Sequence, residues 1–356
     1  MNAQPETHTL PAWPVRSAYL AAPGFEAVLE QELARRGAGA LCWHGRLALS
    51  ALPPVASLWA IDIWNAPELH PVPSIKGAAR IMRGMQRNWA GYAPTLHRRS
   101  ALITDALPPV RPKPVSFPSS PPDAHLGGWT LLAPDQLLLS PTKSSPFING
   151  EVAFVENRTD PPSRAYLKLW EALFRLGRWP VAGETCIDLG ACPGGWTWVA
   201  ASQGAHVTAI DRAPLAESVA ALPNVTCRYE SAFGLDPAAC APVDWLFSDI
   251  IAYPARLLAL AQRWIASGRA ARIVMTINSR ARPITIRPRP LPPFPAGACC
   301  ICGTTSMSLL FLATRRRVSS RSAISTTPMA SRQHTRATAI TISRSCSVSS
   351  VAPARR

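Results

Sequence analysis

Residues 188–197 read Asp-Leu-Gly-Ala-Cys-Pro-Gly-Gly-Trp-Thr, a glycine-rich turn that follows a short apolar stretch and precedes a helical pattern. Glycines in such a turn can adopt positive φ and let the backbone approach a ligand closely. The next apolar stretch, residues 205–210, ends at Asp211. Strand, glycine turn, helix and strand together predict a βαβ unit, in which ligands bind beyond the carboxyl ends of the parallel strands.

The same alternation of strands and helices continues on both sides of this unit. A helix is predicted over residues 163–176 and another over residues 253–265. This order is typical of an α/β domain with a parallel sheet and helices on both faces, a Rossmann-like fold. Further strands are predicted at residues 185–189, 225–229, 245–247 and 272–277, and a short helix at residues 196–203.

Two acids stand where a bound nucleoside cofactor would be recognised. Asp211 can accept hydrogen bonds from both ribose hydroxyls, whereas a tight turn with a surface acid is the purely structural alternative. Asp249 ends another strand at the same edge, where it could orient a substrate hydroxyl or a cofactor amino group; the alternative is a helix N-cap. The spacing Gly190-x-x-x-Gly194-Gly195 departs from G-x-G-x-x-G and therefore disfavours a nicotinamide-dependent oxidoreductase.

The first 150 residues form a separate α+β pattern. A strand at residues 16–21 is followed by a helix at residues 25–36, and a hairpin is predicted over residues 129–140. Residues 107–122 hold seven prolines and predict a linker or long loop. The basic residues of this region alternate with acids along the chain and predict no clear patch.

The charge of the chain is unevenly distributed. Lysine and arginine total 37 against 21 acids, a net charge of +16, but residues 278–356 hold 13 arginines and no acid. Residues 1–277 keep 24 basic and 21 acidic side chains, so the total charge is weak support for nucleic-acid binding. Nine scattered cysteines, a polar start without a signal peptide and no apolar run of ~18 residues predict a cytoplasmic protein without a membrane span.

Four segments resemble the RlmM-type ribosomal RNA ribose 2′-O-methyltransferases, relatives of the FtsJ family. They are Ala-Pro-Gly-Phe-Glu at 22–26, Ser-Ser-Pro-Phe at 144–147, Pro-Ser-Arg-Ala-Tyr-Leu-Lys-Leu-Trp-Glu-Ala at 162–172, and the turn at 188–197. The resemblance covers residues 16–277 in order, and its last two segments are specific. It implies a ferredoxin-like and THUMP-like RNA-binding region at 1–150 and an S-adenosylmethionine-dependent Rossmann-like domain at 151–277.

The resemblance also implies the reaction and its residues. The expected reaction is methylation of a cytidine ribose in 23S rRNA, with 23S rRNA as the partner and no metal. Ala165 and Ser231 depart from the family, which often has a serine and an aspartate there; Glu230 could substitute for the latter. The implied catalytic residues are Lys168 and Asp249, and the cofactor-binding residues are Asp188, Gly190, Cys192, Pro193, Gly194, Gly195, Trp196, Asp211 and Asp249.

Residues 278–356 predict a basic tail that is irregular and disordered, which leaves the catalytic domain truncated. The family's base lysine directly follows the strand that ends here at Ile277, where this chain has Asn278. One restored adenine in an AAT codon at 278 gives a lysine, and in the same frame the window of residues 302–308 gives a glutamate. A frameshifted C-terminus is therefore a hypothesis. Cys299, Cys300 and Cys302 lack a fourth partner at zinc spacing.

Three functions stay open at this point. The leading hypothesis is rRNA ribose methylation, impaired by Asn278. A methyltransferase with another substrate is disfavoured by Ser-Asp-Ile-Ile at 248–251, since base or amide methylation favours an Asn/Asp-Pro-Pro-Tyr/Phe motif there. The third is an RNA-binding remnant without catalysis.

Overall fold

The computed structural model describes residues 11–123, 125–278, 298–302 and 308–314, and within these ranges the strands form three β-sheets. The first sheet is antiparallel in the order β2-β3-β1-β4. The second has the order β5-β8-β7-β6. The elements of the first sheet are β1 (Ser17–Ala21), α1 (Glu26–Arg35), β2 (Leu41–His44), β3 (Leu47–Ser50) and β4 (Ala60–Trp64). Those of the second are β5 (Glu68–Pro71), α2 (Ile75–Met85), β6 (Trp89–Gly91), α3 (His97–Asp105), β7 (Gly127–Ala133) and β8 (Gln136–Ser140).

Apolar residues on both faces of β1 explain its central position. Tyr19 and Ala21 pack with Leu29 of α1, while Leu20 faces Leu138 of the second sheet. Because both faces of the strand are covered, all five of its residues are buried. The predicted strand, helix and hairpin of this region are therefore confirmed. The ferredoxin-like and THUMP-like identity of the region stays a prediction.

The proline-rich segment is a packed loop rather than a free linker. Val115 forms an isolated parallel bridge with Phe154, and the ring of Phe117 stacks on Trp170 at 5.1 Å between centroids. Because Val115 and Phe117 pack against the core that contains Trp170, the boundary drawn at residue 150 does not coincide with a gap in the packing.

The third sheet has the order β11-β10-β9-β12-β13-β15-β14 and carries the glycine-rich turn. Its strands from β11 to β13 are parallel, whereas β15 pairs antiparallel with β13 and with β14. The elements are α4 (Tyr166–Leu176), β9 (Thr185–Leu189), α5 (Gly195–Ser202), β10 (His206–Asp211), α6 (Glu217–Ala220), β11 (Val225–Tyr229), β12 (Val243–Ser248), α7 (Pro254–Ser267), β13 (Ala270–Asn278), β14 (Ala298–Cys302) and β15 (Ser308–Thr314).

Alternate residues of β9 face the two helical layers. Cys186 packs in the core that includes α4 and α5, whereas Ile187 and Leu189 pack in the core that includes α7. Period-2 alternation with apolar residues on both faces is the pattern of a parallel strand covered on both sides. The predicted α/β fold with a Rossmann-like parallel sheet is thus confirmed for this domain.

Two strands of the predicted tail join this sheet, and they extend it beyond β13. Their pairing is antiparallel, with Ile273 opposite Ala313 and Cys302 opposite Ser308. The rest of the segment 278–356 lies outside the described residues, so its irregular structure stays a prediction. No helix in the described ranges combines the length and apolar content needed to cross a bilayer.

Candidate functional site

The glycine-rich turn places α5 directly behind the end of β9. Gly190 has φ +74° and Gly194 has φ +112°, values that only glycine adopts without strain. A Cβ on Gly190 would overlap the side chain of Ile250, which therefore packs against the turn from the β12 side. Gly194 is the N-cap of α5 and has no side chain that could cap the helix, whereas the backbone N–H of Thr197 in the first turn donates to the buried Asp188.

Asp188 lies beneath the turn and is 1% exposed. Its Oδ2 accepts a hydrogen bond of 2.7 Å from the Thr197 hydroxyl on α5. Burial raises the pKa of Asp188 to about 7, and the bond from Thr197 opposes that rise only partly. Asp188 therefore ties the strand to the helix from inside the protein, which supports the turn without presenting a carboxylate at the surface.

Asp211, the last residue of the neighbouring strand β10, forms a hydrogen bond with the turn. Its Oδ2 accepts from the backbone N–H of Cys192 at 3.0 Å, and its Oδ1 accepts from Ala213 at 3.0 Å. A carboxylate has about four acceptor positions, so each oxygen keeps capacity for one further donor. The carboxylate is partly exposed at the sheet edge, where a ligand hydroxyl could reach it.

A second cluster of polar groups lies one strand away. The Lys168 ammonium of α4 donates to both carboxylate oxygens of Asp249, at 2.9 and 2.7 Å. Thr276 of β13 donates to Asp249 Oδ1 at 2.6 Å. The side chains of Lys168 and Asp249 are 11% and 16% exposed, so the ion pair borders solvent but is largely desolvated. Three elements of the domain thereby converge on one carboxylate.

Trp196 joins the glycine turn to the start of α4. Its indole Nε1 donates to the carbonyl of Ala165 at 2.9 Å, and its ring is 3% exposed. Beside this contact, a Cβ on Gly195 would lie 2.8 Å from Ser163 Oγ. That hydroxyl is buried and has no hydrogen-bond partner among the described residues. An orphaned hydroxyl next to the uncapped end of α5 is suited to a polar ligand group.

The structure brings the sequence-predicted residues together at the carboxyl edge of the parallel sheet. Asp188 and Trp196 support the turn from inside, while Cys192 is exposed on it. Burial and the nearby Asp211 raise the pKa of the Cys192 thiol. Glu230, which could substitute for an aspartate at Ser231, forms an ion pair of 2.6 Å with Arg228 through its Oε1.

Thr276 and Ile250 were not singled out from the sequence. Thr276 lies within an apolar strand, and only the register that pairs Ser248 with Met275 brings it beside Asp249. Ile250 follows Asp249 directly, but nothing in its residue type indicates contact with Gly190. No group of three or more His, Cys, Asp or Glu side chains suited to a metal occurs among the residues described here.

A comparison with known protein families gives a match over the segment that carries the candidate site. Residues 161–258 match the family model described as FtsJ-like methyltransferase. The ribosomal RNA large subunit methyltransferase M of Azoarcus sp. strain BH72 is 38% identical over 126 residues, which are 34% of each chain. The protein of the same name from Halorhodospira halophila is 44% identical over 107 residues, 29% of this chain and 31% of the relative.

The match to these relatives is therefore partial, since this chain spans about a third of their length. Among solved structures, TrmN from Thermus thermophilus is similar at a TM-score of 0.32 and 16% identity, covering 83% of this chain and 98% of that one. The TM-score and the sequence identity are both too low to support an inference. The family match at residues 161–258 nevertheless coincides with the segment that holds the glycine turn, Lys168 and Asp249. Residues 161–258 are thus similar to FtsJ-like methyltransferases, and about a third of the chain is similar to ribosomal RNA large subunit methyltransferases M.

Proposed function

We propose that the chain descends from an enzyme that transfers a methyl group from S-adenosylmethionine to the ribose 2′-hydroxyl of a cytidine in 23S rRNA. The observation that carries the proposal is the Lys168–Asp249 pair, held at the same sheet edge as the glycine turn. The relatives named above are large-subunit rRNA methyltransferases, which supports 23S rRNA as the substrate. Ribose specificity and the choice of cytidine rest on the resemblance found in the sequence.

The residues of the turn fit a nucleoside cofactor with an amino-acid tail. Asp211 keeps acceptor capacity for ribose hydroxyls, and the uncapped N-terminus of α5 with Ser163 Oγ can bind a carboxylate. Ala165 has no hydroxyl of its own, but its carbonyl anchors Trp196. S-adenosylmethionine, when bound, supplies a methyl group on a sulfonium. We assign Gly190, Cys192, Pro193, Gly194 and Gly195 to the cofactor surface, with Asp188 and Trp196 beneath it.

Lys168 and Asp249 are assigned to the substrate side of the site. The ammonium, held by two charge-assisted hydrogen bonds, can donate to the ribose oxygen and align it with the methyl group. Positioning of this kind supplies much of the acceleration in a two-body transfer. It does not remove the hydroxyl proton, since an ammonium has no free electron pair. The proton acceptor that the family places after the position of Ile277 is replaced by Asn278, and we propose that transfer is impaired for this reason.

Ligand-dependent unfolding tests the cofactor assignment first. S-adenosylhomocysteine should raise the melting temperature of the purified chain, whereas NAD should not, because only a ligand of the native state stabilises it. Asp211→Asn should weaken the shift, and Asp160→Asn, at an exposed carboxylate in the same domain, is the matched control. Protection by NAD alone would contradict the assignment.

Methyl transfer to unmodified large-subunit rRNA tests the reaction. The chain with its own Asn278 should transfer methyl groups slowly. Asn278→Lys should raise the rate of transfer by about 10²-fold, since a positioned base contributes at least that factor. Lys168→Met should abolish the gain, whereas the exposed Lys113→Met should leave it intact. Wild-type turnover equal to that of an intact relative would contradict the impairment. Cofactor binding without transfer in any variant would favour the RNA-binding remnant.

A further inference from the structure

The loop between β12 and α7 exposes two large apolar side chains beside the candidate site. It reads Ile-Ile-Ala-Tyr-Pro at residues 250–254 and begins directly after Asp249. Tyr253 is 78% exposed and Ile251 is 76% exposed, the highest values for large apolar side chains in the part of the chain that the structure describes. Single exposed apolar residues are common on protein surfaces, but two in one short loop next to a candidate site indicate a binding surface.

The backbone of this loop is fixed at both ends. Ile250 packs against Gly190 of the glycine turn, where an added Cβ would overlap its side chain. At the other end, the carbonyl of Tyr253 accepts from the backbone N–H of Arg256 at 2.9 Å. Pro254 lies in the first turn of α7, where its ring fixes the backbone. The two exposed side chains are therefore carried by a backbone that the elements on either side hold in place.

A cation accompanies the Tyr253 ring. Among the described residues this ring makes no aromatic contact and its hydroxyl makes no hydrogen bond. Arg256 is exposed, and its guanidinium carbon lies 3.8 Å from the centroid of the Phe233 ring. It follows Tyr253 by three residues, the spacing at which side chains on a helix become neighbours. An exposed aromatic ring beside a cation is the combination with which proteins bind unpaired nucleotides, because the ring stacks on a base and the cation attracts the phosphate.

We propose that Tyr253 stacks on an unpaired base of the RNA substrate and so places the adjacent ribose at Asp249, with Ile251 packing beside the base. This inference rests on the proposed function, which makes RNA the substrate. Four residues separate Asp249 from Tyr253, so their Cα atoms lie at most about 14 Å apart, close enough for one short RNA segment to contact both. The faces of bases inside an A-form duplex are covered by their neighbours, so a stacking ring selects a single-stranded segment.

Two other occupants fit the loop less well. A standard protein–protein interface buries about 800 Å² on each partner, far more than two side chains expose. The cofactor surface is assigned to the glycine turn, and the loop residue that packs against this turn is Ile250 rather than Ile251 or Tyr253. An unpaired base is therefore the occupant that the observations favour.

Binding of a single-stranded RNA tests the stack. The probe is a fluorescein-labelled oligocytidylate, and the dissociation constant for the full chain is measured by anisotropy at several KCl concentrations. Tyr253→Ala should weaken binding by about 5- to 150-fold, the range expected for the loss of one base–aromatic stack. Tyr253→Phe keeps the ring and should bind as tightly as the wild type. The slope of log affinity against log salt should stay unchanged in both variants, since neither loses a phosphate contact.

A second exposed tyrosine of the same sheet supplies the matched control. Tyr229 is 65% exposed at the end of β11, which β10 and β9 separate from β12. Tyr229→Ala should therefore leave the dissociation constant at the wild-type value. A 5-iodocytidine in the probe gives a direct readout, since near-ultraviolet light cross-links this base to an aromatic ring on which it stacks. The cross-link should map to the peptide that contains Tyr253.

Equal affinities of Tyr253→Ala and Tyr229→Ala, or cross-links confined to residues 1–150, would overturn the inference. So would a change of oligomeric state in Tyr253→Ala, which would assign the loop to a second copy of the chain. The melting shift with S-adenosylhomocysteine is measured in parallel, and its loss in Tyr253→Ala would place the ring against the cofactor instead. A wild-type chain that shows this melting shift but binds no RNA would refute the RNA substrate of the proposed function, and the stack with it.

Discussion

Replacement of Asp188 by asparagine should change the stability of the chain in opposite directions at low and high pH. The carboxyl is fully buried, and burial raises its pKa to about 7 in the folded protein, against about 3.9 in an unfolded chain. The folded state therefore holds the proton more tightly than the unfolded state. Stability from this group is complete below pH about 4, falls as the pH rises and is lost above pH about 7.

The size of the effect follows from the difference in pKa. The folded and unfolded pKa values differ by about three units, and each unit corresponds to about 1.36 kcal/mol. The carboxyl of Asp188 therefore changes the free energy of unfolding by about 4 kcal/mol between low and high pH. Asparagine keeps a carbonyl that can accept from Thr197, but its buried amide N–H groups gain no assured partner, which costs about 1–3 kcal/mol at every pH. Asp188→Asn should therefore destabilise the protein at pH 4 and stabilise it by about 1–3 kcal/mol at pH 8.

Urea unfolding of both proteins at several pH values measures this difference. The comparison is made as wild type minus variant, so that other titrating groups cancel. Asp160→Asn, at an exposed carboxylate, controls for the loss of one acidic side chain. A difference between wild type and Asp188→Asn that stays constant from pH 4 to 8 would refute desolvation as the cause of the raised pKa.

Two further substitutions test the turn and the N-terminal region. Gly194→Ala should cost about 1–3 kcal/mol and remove the S-adenosylhomocysteine melting shift, because φ is +112° there; Gly84→Ala, inside α2 with open space at its Cβ, is the control. Lys143→Met should cost about 3–5 kcal/mol in urea unfolding, since it leaves Asp62 uncompensated and both side chains are 1% exposed. An unchanged unfolding midpoint would show that Asp62 is neutral in the folded state.

The glycine turn and the strands around it were predictable because their signals are local. Positive φ at Gly190 and Gly194 follows from residue type. The position of Asp211 at the end of β10 follows from the length of a single apolar strand. Helix boundaries were harder to predict: α4 begins at Tyr166 rather than at residue 163, and its N-cap is Ala165, whose side chain makes no capping hydrogen bond. Propensity alone does not settle the first turn of an uncapped helix.

Contacts between strands were not predictable from either strand alone. Thr276 reaches Asp249 only through the parallel register of β12 and β13. The charge pattern of α2 was also not predictable, because the basic residues of the first 150 residues are interspersed with acids along the chain. Lys76, Arg80 and Arg83 become a single surface only when the buried side of α2 is known.

The polar cluster at Asp249 also indicates what its residues cannot do. Lys168 donates to both carboxylate oxygens and Thr276 donates to one of them, so two donors already surround the acid. Such a cluster can hold a hydroxyl in place, but it offers no neutral amine to take its proton. The strand β13 ends at Asn278, two residues past Thr276. Under the proposed function a lysine at position 278 would supply such an amine, whereas a carboxamide is not basic; the rate of the Asn278 chain relative to that of Asn278→Lys measures how much of the reaction the remaining residues support alone.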